Sequence, residues 1–346
     1  MRPRFCLLAP LALFACSKPA PQPSGERIYV SNEHGNTVVA VDPVQGKIVQ
    51  AFVVGKRPRG LLLSPDGSKL YVAISGSPIG GPGVDESRLP PPDRAADGIA
   101  VVDLATGRVE RVLKAGDDPE TFAMSADGRT LFVSNEDRGA VSSVSVDGSR
   151  ATLTQPVGEE PEGAAITPDG LHLFIACEAS DYVAMLDART LKTIKTIPAV
   201  GRPRGALVSR DGNSLYVSVE GAGKIVVIST SDGSVQRQID LAKGDKSVRP
   251  MGIVEGPLGH LFVTTGRGGA VLEVDPKAGT IVRSLAGVGA RPWGIGITRD
   301  GATLATANGP SGDISLIDRK GLSVTRKIKV GDGPWGIADM NGGGAQ

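Results

Sequence analysis

The stretch Val200-Gly201-Arg202-Pro203-Arg204-Gly205 leads into the apolar Ala206-Leu207-Val208, the turn Ser209-Arg210-Asp211-Gly212 and the strand-like Leu215-Tyr216-Val217-Ser218-Val219. This is one copy of a unit that fills the chain. A Pro-x-Gly turn or a near variant returns at Pro58, Pro119, Pro161, Pro203, Pro250, Pro292 and Pro334, at spacings of 61, 42, 42, 47, 42 and 42 residues. Short strands repeating at about 40 to 50 residues are the pattern of propeller blades, which bury their apolar faces only by stacking on neighbours. Seven copies predict an all-β, seven-bladed β-propeller.

The remaining positions of the unit agree. Six residues after each proline stands a tight turn, as at Ser64-Pro65-Asp66-Gly67, Thr167-Pro168-Asp169-Gly170 and Thr298-Arg299-Asp300-Gly301. Proline presets φ, aspartate bonds its own backbone and glycine takes the last position. Apolar runs on both sides of the turn read as a hairpin. A third run (99–102, 183–186, 314–317) usually stops at an aspartate such as Asp42, Asp103 or Asp187, and a fourth leads to the next proline. Four antiparallel strands make a blade. The seventh unit has only twelve residues after Pro334, whereas 28–30, 37–41 and 48–53 look like second, third and fourth strands without a first. One blade is therefore expected to be closed by both termini. With 47 glycines, 25 prolines and no sustained 3.6-residue periodicity, helix should be nearly absent.

Residues 27–342 form the expected propeller and 343–346 a tail. Residues 1–15 have the layout of a secretory signal, Arg2 and Arg4 before an apolar run from Phe5 to Ala15 that is too short to span a bilayer. Leu13-Phe14-Ala15-Cys16 resembles the lipobox of bacterial lipoproteins, with Phe14 an unusual occupant. That resemblance implies acylation at Cys16, a proline-rich tether over 16–26, and, with Ser17 next, sorting to the periplasmic side of the outer membrane; the bland alternative is a cleaved signal and a free periplasmic protein. The membrane is then met only through the lipid. Cys177 is the one cysteine left in the folded body, so an internal disulfide is excluded. Without Arg2 and Arg4, 36 basic residues face 37 acidic ones, and nothing suggests a nucleic-acid footprint.

Ile28-Tyr29-Val30-Ser31-Asn32, Asn36-Thr37-Val38-Val39-Ala40-Val41-Asp42, Phe132-Val133-Ser134-Asn135 and the Val-Gly-x-x-Pro-x-Gly links such as 54–60 resemble the YVTN β-propeller family, which includes the YncE-like proteins. The resemblance covers 27–340. Glu160-Pro161-Glu162-Gly163, Arg202-Pro203-Arg204-Gly205 and Arg291-Pro292-Trp293-Gly294 are similar to the subgroup called PQQ-dependent-catabolism-associated β-propellers. It implies an association with quinoprotein dehydrogenase systems but no established reaction. Similar propellers include lactonases, haem-binding propellers and plain binding scaffolds, so the resemblance specifies fold and not activity.

Links between blades and the loops between second and third strands emerge on one face, the expected mouth of the central channel. Three sets of residues gather there. Each proline is flanked by a pair, Arg57 and Arg59, Asp118 and Glu120, Glu160 and Glu162, Arg202 and Arg204, Arg249 and Met251, Arg291 and Trp293, Gly333 and Trp335, which in an extended segment point to one side. Seventeen residues after three of the prolines stand Glu136, Glu178 and Glu220, joined by Glu33. The third set is the strandless insertion 76–97, a lid or docking loop for an envelope protein partner. In one reading Arg59 pairs with Glu120, and Arg204 with Glu162, as a latch across blade junctions. In the other, Arg59, Arg204, Arg291, Trp293, Trp335, Glu136, Glu178 and Glu220 bind a small anionic or aromatic ligand, the two indoles and the Arg59 guanidinium of the next blade sandwiching a flat anion. Trp293 and Trp335 as a structural plug is the alternative. No cofactor is named by the residues.

Signals of catalysis are thin. His34, His172 and His260 are widely separated in the repeat, so no metal site is visible, and no nucleophile elbow occurs. The adjacent Glu159, Glu160 and Glu162 could raise one another's pKa for acid/base work. The expectation is a non-catalytic envelope propeller that binds a small molecule or a protein at its mouth, with a lactonase-like hydrolase or a haem-binding propeller as the alternative.

Overall fold

The computed structural model describes residues 25–80 and 84–338. The signal and lipidation residues, most of the tether and the turn 340–343 lie outside the described residues. Seven four-stranded antiparallel sheets stand in a ring. Blade 1 comprises Leu61–Leu63, Lys69–Ile74, Gly98–Asp103 and Arg108–Leu113; blades 2 to 6 span 119–156, 161–198, 203–240, 253–286 and 292–329. In blade 7 the inner strand Pro334–Ala338 pairs with Ile28–Asn32 (Tyr29 opposite Ala338, Val30 opposite Ile337), and Thr37–Asp42 and Lys47–Val53 complete the sheet. Helix among the described residues is confined to three single 3-10 turns, two of them in the insertion, and no helix is long and apolar enough to cross a membrane.

There is no single central core. Seven hydrophobic clusters form, one at each junction between neighbouring blades. Each second and third strand is buried on both faces because a blade has a neighbour on either side, so those strands read as continuous apolar runs. The fourth strands are solvated; Thr193–Pro198 buries only Ile197. Phe52, Phe122, Phe174 and Phe262 are fully buried at four of the junctions, and truncating such a ring costs roughly 3–5 kcal/mol.

The glycine of each Pro-x-Gly turn explains how close the blades come. A Cβ on Gly60 would stand 2.7 Å from the Glu120 carbonyl oxygen, and the same contact recurs from Gly163 to Arg204 (2.3 Å), Gly205 to Met251 (2.6 Å), Gly252 to Trp293 (2.7 Å), Gly294 to Trp335 (2.6 Å) and Gly336 to Arg59 (2.5 Å). The chain of contacts closes on itself. In blade 2, where Thr121 replaces glycine, its hydroxyl donates to the Glu162 carbonyl at 2.6 Å. Each contact places the middle residue of the next turn at the channel.

At Gly336 the tightest neighbour is the Arg59 carbonyl oxygen, which is backbone, so that contact cannot relax by a rotamer change. Gly336→Ala is expected to lower the unfolding free energy by about 1–3 kcal/mol through overpacking, read as a shift in the denaturation midpoint at unchanged m-value; an unshifted midpoint would refute the contact.

Candidate functional site

The mouth is held open by a repeated clamp. The backbone N–H of the residue seventeen after a proline donates to the carbonyl of the residue before that proline: Glu136 to Asp118 (2.9 Å), Glu178 to Glu160 (2.8 Å), Glu220 to Arg202 (2.9 Å); Glu33 bonds Gly333 at 2.8 Å in blade 7. The residue before the proline is not extended. Arg57, Asp118, Glu160, Arg202 and Arg291 have φ of 42°, 56°, 49°, 67° and 49°. Left-handed backbone costs a residue with a side chain roughly 1–2 kcal/mol, and proline disfavours helical geometry before it. At Asp118, Glu160 and Arg202 the clamp holds this strain in place, and the charged side chains turn into the mouth by this kink rather than by strand alternation.

All eight residues singled out from the sequence as ligand-binding line one cavity of about 1420 Å³ at the mouth, together with Ser77–Gly80 and Leu89–Pro92 of the insertion. Their electrostatic states differ. The Arg59 guanidinium, 2% exposed, bonds Asp118, Glu120 and Glu136, the last at 3.3 Å. Arg204 does the same for Glu162 (2.5 Å), Glu178 (2.8 Å) and Glu220 (3.1 Å). Arg57 pairs with Glu33 at 2.8 Å, and Arg202 with Glu178. The latch between blades is therefore present, and Arg59 is turned to the carboxylates of blade 2, away from the indoles. The carboxylate oxygens of Asp118, Glu120 and Glu136 lie within 4.8 Å of one another, a spacing that suits a cation, but the Arg59 guanidinium already supplies their counter-charge.

The opposite arc is different. Trp293 and Trp335 lie with ring centroids 6.0 Å apart, tilted by 38°. The guanidinium carbon of Arg291 sits 4.8 Å from the Trp293 centroid and that of Arg204 at 5.7 Å. Among the described residues the Arg291 side chain makes no ion pair or hydrogen bond. Its pKa is pushed down by burial, opposed by Glu220, and further down by Arg267, Arg204 and Arg202. It remains cationic, with Glu220 near enough to act on it but no carboxylate within ion-pair distance among the described residues. Arg267 was missed by sequence reasoning, though its place seventeen residues after Pro250, where other blades carry glutamate, was the signal. Arg204, Trp293 and Trp335 also border a narrow space of about 50 Å³ beneath the mouth, so they form the cavity floor.

One carboxyl stands apart. Burial raises the Glu136 pKa to about 8; Arg59 lowers it, Glu162 and Asp118 add to the rise, and Arg204 opposes. In Asp118 burial raises the pKa too, but Arg59, the Ser75 hydroxyl and Arg57 outweigh it and hold it low. The carboxyl that burial singles out in the cavity is Glu136.

Residues 91–255 match the YNCE-like beta-propeller family model. No curated protein matches the chain. Among solved structures, Kuenenia stuttgartiensis hydrazine synthase superposes with TM-score 0.72 at 19% identity, over 90% of this chain and 99% of that one. The Pseudomonas aeruginosa periplasmic gluconolactonase PpgL gives 0.70 at 20%, over 90% and 98%. The dihydro-heme d1 dehydrogenase NirN in complex with DHE gives 0.62 at 16%, over 95% and 78%. At these identities the likeness is one of fold.

With a folded-state pKa above its unfolded value, Glu136 binds its proton more tightly in the native protein. Its contribution to stability is full at low pH and is lost as pH rises through about 8. Glu136→Gln mimics the protonated form. It is expected to remove a decline in stability between pH 6 and 9 on the order of a few kcal/mol, seen in paired thermal melts; parallel wild-type and variant profiles would contradict this.

Proposed function

We propose that this protein is a non-catalytic binding propeller of the bacterial cell envelope whose ligand is a flat organic anion held at the mouth by Arg291, Trp293 and Trp335. The observation that carries the reading is Arg291, a guanidinium strained in left-handed backbone, stacked at 4.8 Å on an indole and without an ion pair among the described residues. Arginine binds carboxylates in a bidentate fork, and an indole face beside it accepts a planar body. A quinone carboxylate or a tetrapyrrole has this chemistry. The similarity of the Pro-x-Gly links to propellers associated with PQQ-dependent catabolism, and of the fold to NirN in complex with DHE, supports it.

Hydrolysis is the second reading, favoured by Glu136, a carboxyl raised to about 8 in the cavity, and by likeness to a gluconolactonase. A panel of lactones separates the two: no turnover is expected, and turnover abolished by Glu136→Gln would establish the hydrolase instead.

Arg291→Gly relieves the left-handed strain while removing the charge. It should bind 2-naphthoate or a quinone carboxylate about tenfold or more weakly with stability unchanged or higher; Trp335→Ala should lose binding with the fold intact. Unchanged affinity in both, or stability lost without effect on affinity, would leave the arc a structural plug.

The lipobox-like Leu13-Phe14-Ala15-Cys16 supports a membrane anchor through acyl chains on Cys16. Metabolic labelling with a fatty acid should mark the wild-type protein and leave Cys16→Ser unlabelled; equal labelling, or none in either, would remove the anchor.

A further inference from the structure

Among the described residues, eleven carboxylates and seven guanidiniums line the mouth cavity, an excess of negative charge that one organic anion would deepen. The excess is not spread evenly. Arg57, Arg59, Arg202 and Arg204 are all tied to carboxylates around blades 7 and 1 to 4. Glu159 and Glu160, at the start of blade 3, have no ion pair among the described residues and are exposed. Glu160 is also aimed by left-handed backbone, φ 49°. Arg291 and Arg267, with the indoles, are on blades 5 to 7. In a ring of seven, blade 3 lies three blades from blade 6 in one direction and three from blade 7 in the other, so the unpaired carboxylates stand across the channel from the Trp293–Trp335 seam.

The cavity therefore has a cationic, aromatic end and an anionic end on opposite sides. Its volume, about 1420 Å³, exceeds the 300–1,000 Å³ typical of small-molecule pockets. Resting on the binding reading above, we infer that the ligand is an elongated zwitterion of short-peptide chemistry, its carboxylate on Arg291, an aromatic or planar group on Trp293 and Trp335, and a basic group on Glu159 and Glu160. Such a ligand balances both ends of the cavity and crosses it, whereas a plain anion leaves the acidic arc repelling it.

Trp293 and Trp335 are the only tryptophans of the chain, so intrinsic fluorescence reports on this seam directly. The probe is a tetrapeptide with N-terminal lysine, two alanines and C-terminal phenylalanine, compared with its C-terminal amide and with an N-acetylated form in which glutamine replaces lysine; 2-naphthoate is the plain anion. Saturable change in emission is expected with the free peptide. Affinity should fall about tenfold or more for either neutralised form, and Glu159→Gln combined with Glu160→Gln should erase the preference for lysine while keeping that for the carboxylate. Equal affinity for the lysine and glutamine peptides, or binding of 2-naphthoate with no binding of any peptide, overturns this inference and leaves the anion site standing. No response to any probe overturns both.

Discussion

Seven blades can stand in a ring only if each inner strand lets its neighbour's backbone come within contact of its own. The residue that permits this is the glycine of Pro-x-Gly, whose missing Cβ is replaced by the carbonyl oxygen of the next blade's middle residue, all the way round to Gly336 and Arg59. A hydroxyl reinforces the same oxygen in several blades: Ser31 donates to the Arg59 carbonyl at 2.7 Å, Ser218 to Met251 at 2.6 Å and Thr264 to Trp293 at 2.7 Å. Backbone polarity is thereby satisfied where the ring is tightest. The functional consequence is that six side chains, Arg59, Glu120, Glu162, Arg204, Trp293 and Trp335, are delivered to one opening, with Met251 in the narrow space beneath it, by a contact that does not depend on what those side chains are.

The identity of the seven is thus free to vary, and here it divides the ring. Blades 1 to 4 carry two arginines that each hold three carboxylates. Burying such groups costs several kcal/mol per ion unless paired, and pairing returns most of that cost. This arc works as a latch, and its charges are spent on one another. Blades 6 and 7 place indoles at the same position, and the nearby Arg291 and Arg267 are left to solvent and to whatever enters. Latch and site are then complementary: the saturated arc fixes the geometry, and the unsaturated one is available for binding.

Much of this was legible in the sequence because periodicity carries it. The proline register gave the blade count, the split blade, and the convergence of Arg59, Glu136, Trp293 and their equivalents, since equivalent positions in a closed ring must meet. The pairing of Arg59 with Glu120 and Arg204 with Glu162 followed from neighbouring blades. What could not be read was anything set by local strain or burial. The left-handed kink before most of these prolines is a backbone state that proline ordinarily disfavours, and at Asp118, Glu160 and Arg202 a backbone bond from the residue seventeen after the proline accompanies it, as one from Glu33 does at Gly333. Glu136 differs from Glu178 and Glu220 by surroundings and not by register: Glu178 and Glu220 share Arg204 and Arg202, whereas Glu136 competes with Asp118 and Glu120 for Arg59 alone.

The insertion ties these themes together. Its base is fixed by Lys56 to Asp93 at 2.7 Å, Arg94 to Asp137 at 2.5 Å and Ser77 to Asp137 at 2.9 Å, and Arg57 donates to the carbonyls of Ser77 and Pro78 at 2.9 and 3.2 Å. Arg57 is itself one of the strained residues and pairs with Glu33 from the split blade. One guanidinium therefore links the ring closure, the loop and the mouth. A ligand seated against the loop would change the surroundings of the Arg57–Glu33 pair, and through it the blade in which the two ends of the fold meet. A ligand that binds only the closed ring would add to its stability by mass action.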